Sequence, residues 1–117
     1  DAGAARTHAR IALAINEKYA DLAEQGNSLR LMADAALKLG DFVAAEQSYS
    51  GALALDKALG APQKIVLDLI GVGKSLQVQG RRAEAAAYFR RAQSVAVGAG
   101  DRASVELAGR LLDSTRP

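Results

Sequence analysis

Glycines recur at a regular interval along this 117-residue chain. Gly40, Gly60, Gly80 and Gly100 stand twenty residues apart, and Gly26 precedes them by a shorter step. Glycine is favoured just past the end of a helix because it adopts a left-handed backbone at no steric cost. The interval therefore predicts successive helices of similar length, as in arrays of stacked helical hairpins.

The stretches between the glycines are expected to form five or six helices. Gly26, Asn27 and Ser28 are expected to end the first helix and cap the second, and Pro62 suits the first turn of the fourth. The expected ranges are 4–24, 29–39, 42–59, 62–79, 82–97 and 102–114. The alternation typical of β-strands is missing from the sequence over any useful length, so an all-α fold is predicted.

The composition narrows the classes of protein that the chain can be. Half of the residues are apolar, but aromatic residues make up only 4% and Trp is absent, so the core must be built mainly from Ala, Leu, Ile and Val. The formal charge of +2 results from fifteen basic and thirteen acidic residues, a balance too even to favour nucleic-acid binding. No apolar run is long enough to span a bilayer. The absence of cysteine excludes disulfides and Cys-ligated metal sites.

The sequence is compatible with more than one cellular compartment. A chain without cysteine suits a reducing compartment, but bacterial exported proteins also often lack it. The chain begins at Asp1 without Met, so we expect a processed product or a piece of a longer protein. We favour the cytoplasm, with export to the periplasm as the alternative.

Shifting the chain by forty residues superimposes it on itself. Ala45 falls on Ala85 and Tyr49 on Phe89, so a small residue and an aromatic recur at the same places. The other matching pairs are Gly40 with Gly80, Ala52 with Ala92, Gly60 with Gly100, Leu29 with Leu69, Met32 with Val72 and Ala33 with Gly73. Alanine at a helix crossing lets the helix axes approach closely. The chain is therefore predicted to contain two copies of one helical hairpin.

The repeated residues resemble the tetratricopeptide repeat. Residues 40–56 carry that family's second-half pattern: a Gly-Asp-aromatic turn, an alanine, an aromatic four residues later and then Ala-Leu-x-Leu-Asp. The forty-residue spacing is similar to the longer variety of this repeat. Lys57 stands in place of the family's helix-ending proline, and Arg81 and Arg82 replace its Asp-aromatic pair in the second copy.

The resemblance implies an all-α, right-handed superhelical stack of antiparallel helix pairs. Residues 1–26 would form the second half of a preceding unit, residues 27–60 and 61–100 two repeats, and residues 101–117 a C-terminal capping helix. In this family the first helix of each unit lines the concave groove that binds a partner. The implied groove residues are Asn27, Arg30, Leu31, Asp34, Lys38, Leu67, Ile70, Lys74, Val78 and Arg110.

The implied groove has two interpretations. Its basic residues would hold an acidic peptide while its apolar residues bury side chains of the partner. Alternatively, the charges only solubilise the chain and the groove packs against a neighbouring domain. The grip on a C-terminal carboxylate found in some family members is not expected, because Asp34 and Gly71 stand where those members have asparagines.

No pattern in the sequence favours catalysis. Residues 71–75 read Gly-Val-Gly-Lys-Ser, but Asp68 stands where a phosphate-binding loop needs its first glycine. His8 is the only histidine, and neither a metal site nor acid–base chemistry gathers around it. The densest basic cluster, around Arg81 and Arg90, lacks spare aromatics for nucleic-acid stacking. We therefore expect no enzyme activity, no cofactor and no metal.

The sequence thus predicts a non-catalytic scaffold that binds a protein or peptide, with no nucleic acid or membrane insertion. The first alternative is self-assembly through the end helices, whose apolar residues either cover the edges of the stack or pack against another copy. Those residues are Ile11, Ile15 and Tyr19 at one end and Val105, Ala108 and Leu112 at the other. The second alternative is a sensory or regulatory segment of a larger multidomain protein.

Overall fold

The protein is a stack of α-helices that follow one another in chain order. The computed structural model describes residues 1–18 and 21–117. Its helices are α1 (Ala2–Lys18), α2 (Leu22–Lys38), α3 (Phe42–Leu59), α4 (Pro62–Val78), α5 (Arg82–Gly98) and α6 (Arg102–Ser114). Each helix packs against the next, and these described ranges contain no strand. The predicted all-α, repeat-like stack is confirmed.

Glycines end the helices from α2 to α5, as the interval predicted. Gly40, Gly60, Gly80 and Gly100 all have positive φ, between 65° and 81°. The chain then folds back on the helix end: after Gly40, for example, the Asp41 backbone N–H donates to the Ala36 carbonyl at 2.9 Å. These short turns make consecutive helices antiparallel.

The prediction for the first two helices was wrong. The second helix begins at Leu22, so Gly26 and Ser28 lie inside it and are buried. Its N-cap is Asp21, whose carboxylate accepts from the Glu24 backbone N–H at 3.1 Å. The expected ranges 4–24 and 29–39 are therefore replaced by α1 and α2, and the boundary between residues 26 and 27 falls inside α2.

Packing explains why Gly26 does not end a helix. A Cβ at this position would lie 3.0 Å from Oδ1 of Asp56 in α3. Gly26 therefore allows a close approach between helices instead of a left-handed turn. Tyr19, which the sequence placed on an apolar face with Ile11 and Ile15, lies outside the described residues.

The forty-residue repeat corresponds to two helix pairs, α2–α3 and α4–α5. Ala45 and Ala85 are completely buried, and so are Ala52 and Ala92. Tyr49 and Phe89 fill the core beside these small residues. In addition to these pairs, α2 contacts α4 directly. The even-numbered helices thus form one layer of the stack, and the odd-numbered helices form the other.

Over the same described ranges, no helix combines the length and the apolar character that a membrane crossing requires.

Candidate functional site

A cavity of about 380 Å³ opens on the layer formed by the even-numbered helices. Most of its lining comes from α2 and α4, and Tyr49 of α3 and Leu107 of α6 complete it. Six of the ten implied groove residues line it: Arg30, Asp34, Lys38, Leu67, Ile70 and Lys74. We call this cavity the central groove.

The other four implied residues lie away from the central groove. Asn27 accepts a hydrogen bond from Arg30 at 3.1 Å and is half-buried. Val78 and Arg110 are exposed on α4 and α6. Leu31 is 59% exposed and lines a different cavity, between α1 and α2.

Two lysines give the central groove its available positive charge. Neither Lys38 nor Lys74 pairs with a carboxylate of the described residues, and both lysines are exposed. Asp34 supplies a negative charge between them and accepts a hydrogen bond from the Tyr49 hydroxyl. Burial and this contact raise the pKa of Tyr49, so the phenol stays neutral and remains the donor.

The apolar part of the groove is unevenly exposed. Leu67 is 53% exposed, whereas Ile70 is only 6% exposed and belongs to the core of α4 and α5. Leu107 of α6, which also lines the groove, is half-buried. Leu67 is therefore the groove residue best placed to meet an apolar side chain of a partner.

Arg30 has a different environment from the one its sequence position suggested. Its Nε donates to Asp68 at 2.7 Å and its Nη2 donates to Asp56 at 2.6 Å. Both aspartates are completely buried, and the Arg30 side chain is 14% exposed. The guanidinium therefore joins α2, α3 and α4, and its charge is balanced within the fold.

Sequence reasoning missed the two aspartates that hold Arg30. From the sequence, Asp56 is interpreted only as part of the repeat pattern. Asp68 is interpreted only as the residue that excludes a phosphate-binding loop. The available signal was Asp68 itself, because an acidic residue inside the apolar run 65–70 must find a partner when the run is buried. The identity of that partner depends on a contact thirty-eight residues away along the chain.

The buried ionic cluster of Arg30, Asp56 and Asp68 holds two acids and one base. Oδ1 of Asp56 and Oδ2 of Asp68 are buried and have no hydrogen-bond partner among the described residues. Burial, followed by the nearby carboxyl group of Asp56, raises the pKa of Asp68 to about 7, although Arg30 acts in the opposite direction. A proton on Asp68 thus removes the excess negative charge of the cluster.

The Gly-Val-Gly-Lys-Ser segment lies in the middle of α4 and forms no loop. Gly71 faces the ring of Tyr49, and a Cβ on Gly73 would lie 2.5 Å from the ring of Phe89. The Ser75 hydroxyl donates to the Gly71 carbonyl at 2.9 Å, inside the helix. These glycines therefore admit aromatic rings from the neighbouring helices.

A second and larger cavity, of about 640 Å³, lies between α1 and α2. Ala5, His8 and Ala12 line it from α1, and Leu31 lines it from α2. It also shares Asp34 and Lys38 with the central groove, so the two cavities adjoin. We call it the end groove.

The remaining polar side chains that the structure describes do not gather into a chemical site. No group of three or more His, Cys, Asp or Glu among the described residues could hold a metal ion. Arg81 pairs with Glu84 at 2.6 Å and with Glu46 at 3.2 Å. Arg91 stacks over the ring of Tyr88 at 4.9 Å, so part of the basic cluster is engaged within the fold.

Comparison with known proteins assigns the chain to no family. No protein-family model matches the chain, and no curated protein matches it either. The resemblance to the tetratricopeptide repeat therefore stays a prediction, which is carried by residues 40–56 and by the forty-residue register.

Proposed function

We infer that the protein is a tetratricopeptide-like interaction module that binds a peptide segment of a protein partner in the central groove, without catalysing a reaction. The observation that carries this proposal is the meeting of Lys38, Lys74 and the exposed Leu67 around one cavity. Extended and helical peptides bind in such grooves through a few anchoring side chains, with charged residues setting the register.

The chemistry of the lining specifies the kind of peptide. Two unpaired lysines against the single carboxylate of Asp34 favour an acidic segment. Leu67 and Leu107, which both line the groove, favour an apolar side chain beside the charges of the peptide. Arg30 is not counted among the available cations, because Asp56 and Asp68 already balance it.

A peptide array tests this proposal. We expect the protein to retain peptides that combine Asp or Glu with Leu or Ile, and Lys74→Glu to weaken their binding at least tenfold, as measured by fluorescence anisotropy. Lys64→Glu is the matched control, because Lys64 lies on the same helix but outside the groove. If Lys74→Glu retained the same peptides with the same affinity, the groove would not be the binding site.

Exposed apolar residues on α1 favour a second candidate, association through the end of the stack. Ile11 and Ile15 are 55% and 52% exposed, and because they stand one helical turn apart they share one face of α1.

A further inference from the structure

The buried ionic cluster of Arg30, Asp56 and Asp68 meets the central groove at Arg30. This side chain lines the groove, although only 14% of it is exposed. Its Nε donates to Asp68 at 2.7 Å and its Nη2 donates to Asp56 at 2.6 Å. One side chain therefore connects the two buried carboxyl groups with the space that a bound peptide would occupy.

The cluster has fewer hydrogen-bond donors than its carboxyl oxygens can accept. Oδ1 of Asp56 and Oδ2 of Asp68 are buried and have no hydrogen-bond partner among the described residues. Oδ1 of Asp56 lies against Gly26, where a Cβ would be only 3.0 Å away. Two ionised carboxylates beside one guanidinium would leave one uncompensated negative charge inside the fold, which is unfavourable. A single proton from the solvent removes that charge and adds one donor.

Three side chains that carry a charge or an ionisable group face Asp68. Arg30 of α2 and Asp56 of α3 belong to the cluster, and Tyr49 of α3 lines the central groove. Burial, and then the hydrogen bond with Asp34, raises the pKa of Tyr49, and the charge of Asp68 acts in the same direction. The helix α5 also packs against α4, but none of its charged side chains pairs with Asp68. The charge of Asp68 therefore acts on a residue that lines the groove.

We propose that a proton held by the buried cluster of Arg30, Asp56 and Asp68 regulates the central groove, which binds an acidic peptide more tightly when the cluster is protonated. This inference rests on the proposed function, because it concerns the charge that the peptide meets. The protonated cluster is neutral, so Lys38 and Lys74 attract the peptide without opposition from it. The deprotonated cluster adds a negative charge next to the groove and weakens that attraction.

The pH range of this regulation follows from Asp68. Its pKa is about 7 in the free protein, so the proton is lost mainly between about pH 6 and about pH 8. An acidic peptide repels the deprotonated cluster and favours the protonated one. Binding should therefore raise the pKa of Asp68 further and take up protons from the solvent. By the same linkage, the affinity for the peptide should fall as the pH rises through 7.

Peptide binding at two pH values tests the proposal. The probe is an acidic peptide retained by the array, which contains Asp, Glu and Leu but no His and carries blocked ends and a rhodamine label. We expect the protein to bind it about fivefold more tightly at about pH 6 than at about pH 8, measured by fluorescence anisotropy at constant ionic strength. The carboxylates of the peptide stay ionised over this range, so they do not cause the change.

Two substitutions separate Asp68 from the only histidine of the chain. Asp68→Asn has no charge at either pH and keeps an acceptor for Arg30. It should bind the probe equally at both pH values, with the affinity of the parent at the lower one. His8→Asn should keep the parent's difference. It is the matched control because His8 lines the adjoining end groove and because histidine is the side chain that ordinarily titrates near neutral pH. Circular dichroism at both pH values checks that all three proteins are folded.

Calorimetry provides a second readout. Near neutral pH, binding of the probe should take up a fraction of a proton in the parent and none in Asp68→Asn. The uptake is measured from the binding enthalpy in two buffers that differ in ionisation enthalpy. A purely structural role of Asp68 would produce no such difference.

Equal affinity of the parent at both pH values, or tighter binding at the higher one, would overturn this inference and leave the proposed function intact. A pH dependence that Asp68→Asn retains, or that His8→Asn abolishes, would also overturn it, because another group would then hold the proton. Absence of binding by every acidic peptide at either pH would overturn the proposed function itself, and this inference with it.

Discussion

Arg30, Asp56 and Asp68 place ionisable groups inside a stack whose core is otherwise mainly apolar. The cluster connects α2, α3 and α4 and contains one more acid than base. Burial of a charge is costly unless a partner or a proton neutralises it. This cost raises the pKa of Asp68, so the cluster can hold a proton near neutral pH.

A dependence of stability on pH follows from this residue. The pKa of Asp68 is about 7 in the folded protein, against an ordinary value of 3.8. The stability that this protonated side chain contributes is therefore fully present below about pH 4 and is lost as the pH rises through 7. Between these values, Asp68 should lower the free energy of unfolding by at most about 1.4 kcal/mol per pH unit. Urea unfolding at a series of pH values measures this slope.

Asp68→Asn is the control for this prediction. The amide can accept from Nε of Arg30 as the carboxylate does, and its NH₂ group can donate to the unpartnered Oδ1 of Asp56. The stability of the variant relative to the parent should therefore increase as the pH rises from about 4 to about 7. An identical pH slope in both proteins would mean that Asp68 is ionised throughout.

At the scale of the helices, the sequence was sufficient to predict the helix bounds from Gly40 onward. The four later helices begin at the predicted residues and end within one residue of the predicted ends, because a positive-φ glycine marks each of the four turns from Gly40 to Gly100. The prediction failed at Gly26 because the sequence alone does not distinguish a glycine that allows close helix packing from a glycine that ends a helix. The cap at Asp21, followed three residues later by Glu24, was the missed signal.

The candidate site was predictable to a similar extent. The resemblance indicated which helices line the groove, and six of the implied residues line one cavity because residues three or four apart share a helix face. The balanced charge of Arg30 was not predictable, because it depends on Asp56 and Asp68 from two other helices. The end groove was not predicted either, although the alignment of Ala5 with Ala45 was available in the sequence.

Glycines inside helices either make room for a neighbouring side chain, as Gly73 does, or have open space around them, as Gly98 does, and the two kinds predict opposite effects of substitution by alanine. Gly73→Ala should lower the free energy of unfolding by about 1–3 kcal/mol, because its Cβ would overlap the ring of Phe89. Gly98→Ala should raise it by up to about 1 kcal/mol, because Gly98 is helical with open space around it. Urea unfolding of the two variants measures both changes, and a loss at Gly98 equal to that at Gly73 would show that helix propensity is not the controlling term.

On the scale of the whole molecule, the two ends of the stack differ in polarity. On α6, Glu106 and Asp113 are exposed. On α1, Ile11 and Ile15 are both more than half exposed. The exposed surface of α1 is therefore expected to bind an apolar dye more strongly than that of α6.

Charge substitutions at the two ends test this asymmetry. The double variant Ile11→Lys, Ile15→Lys should change the free energy of unfolding by less than about 0.5 kcal/mol per site, because both side chains are exposed in the folded protein. It should also reduce the fluorescence of the dye ANS, which binds exposed apolar surface. Leu112→Lys should destabilise by about 1–3 kcal/mol, because Leu112 is half-buried against the core. Urea unfolding and ANS titration of the same samples separate the two effects. Equal destabilisation by the substitutions on α1 and α6 would mean that Ile11 and Ile15 are packed in the folded protein, which would contradict this difference in polarity.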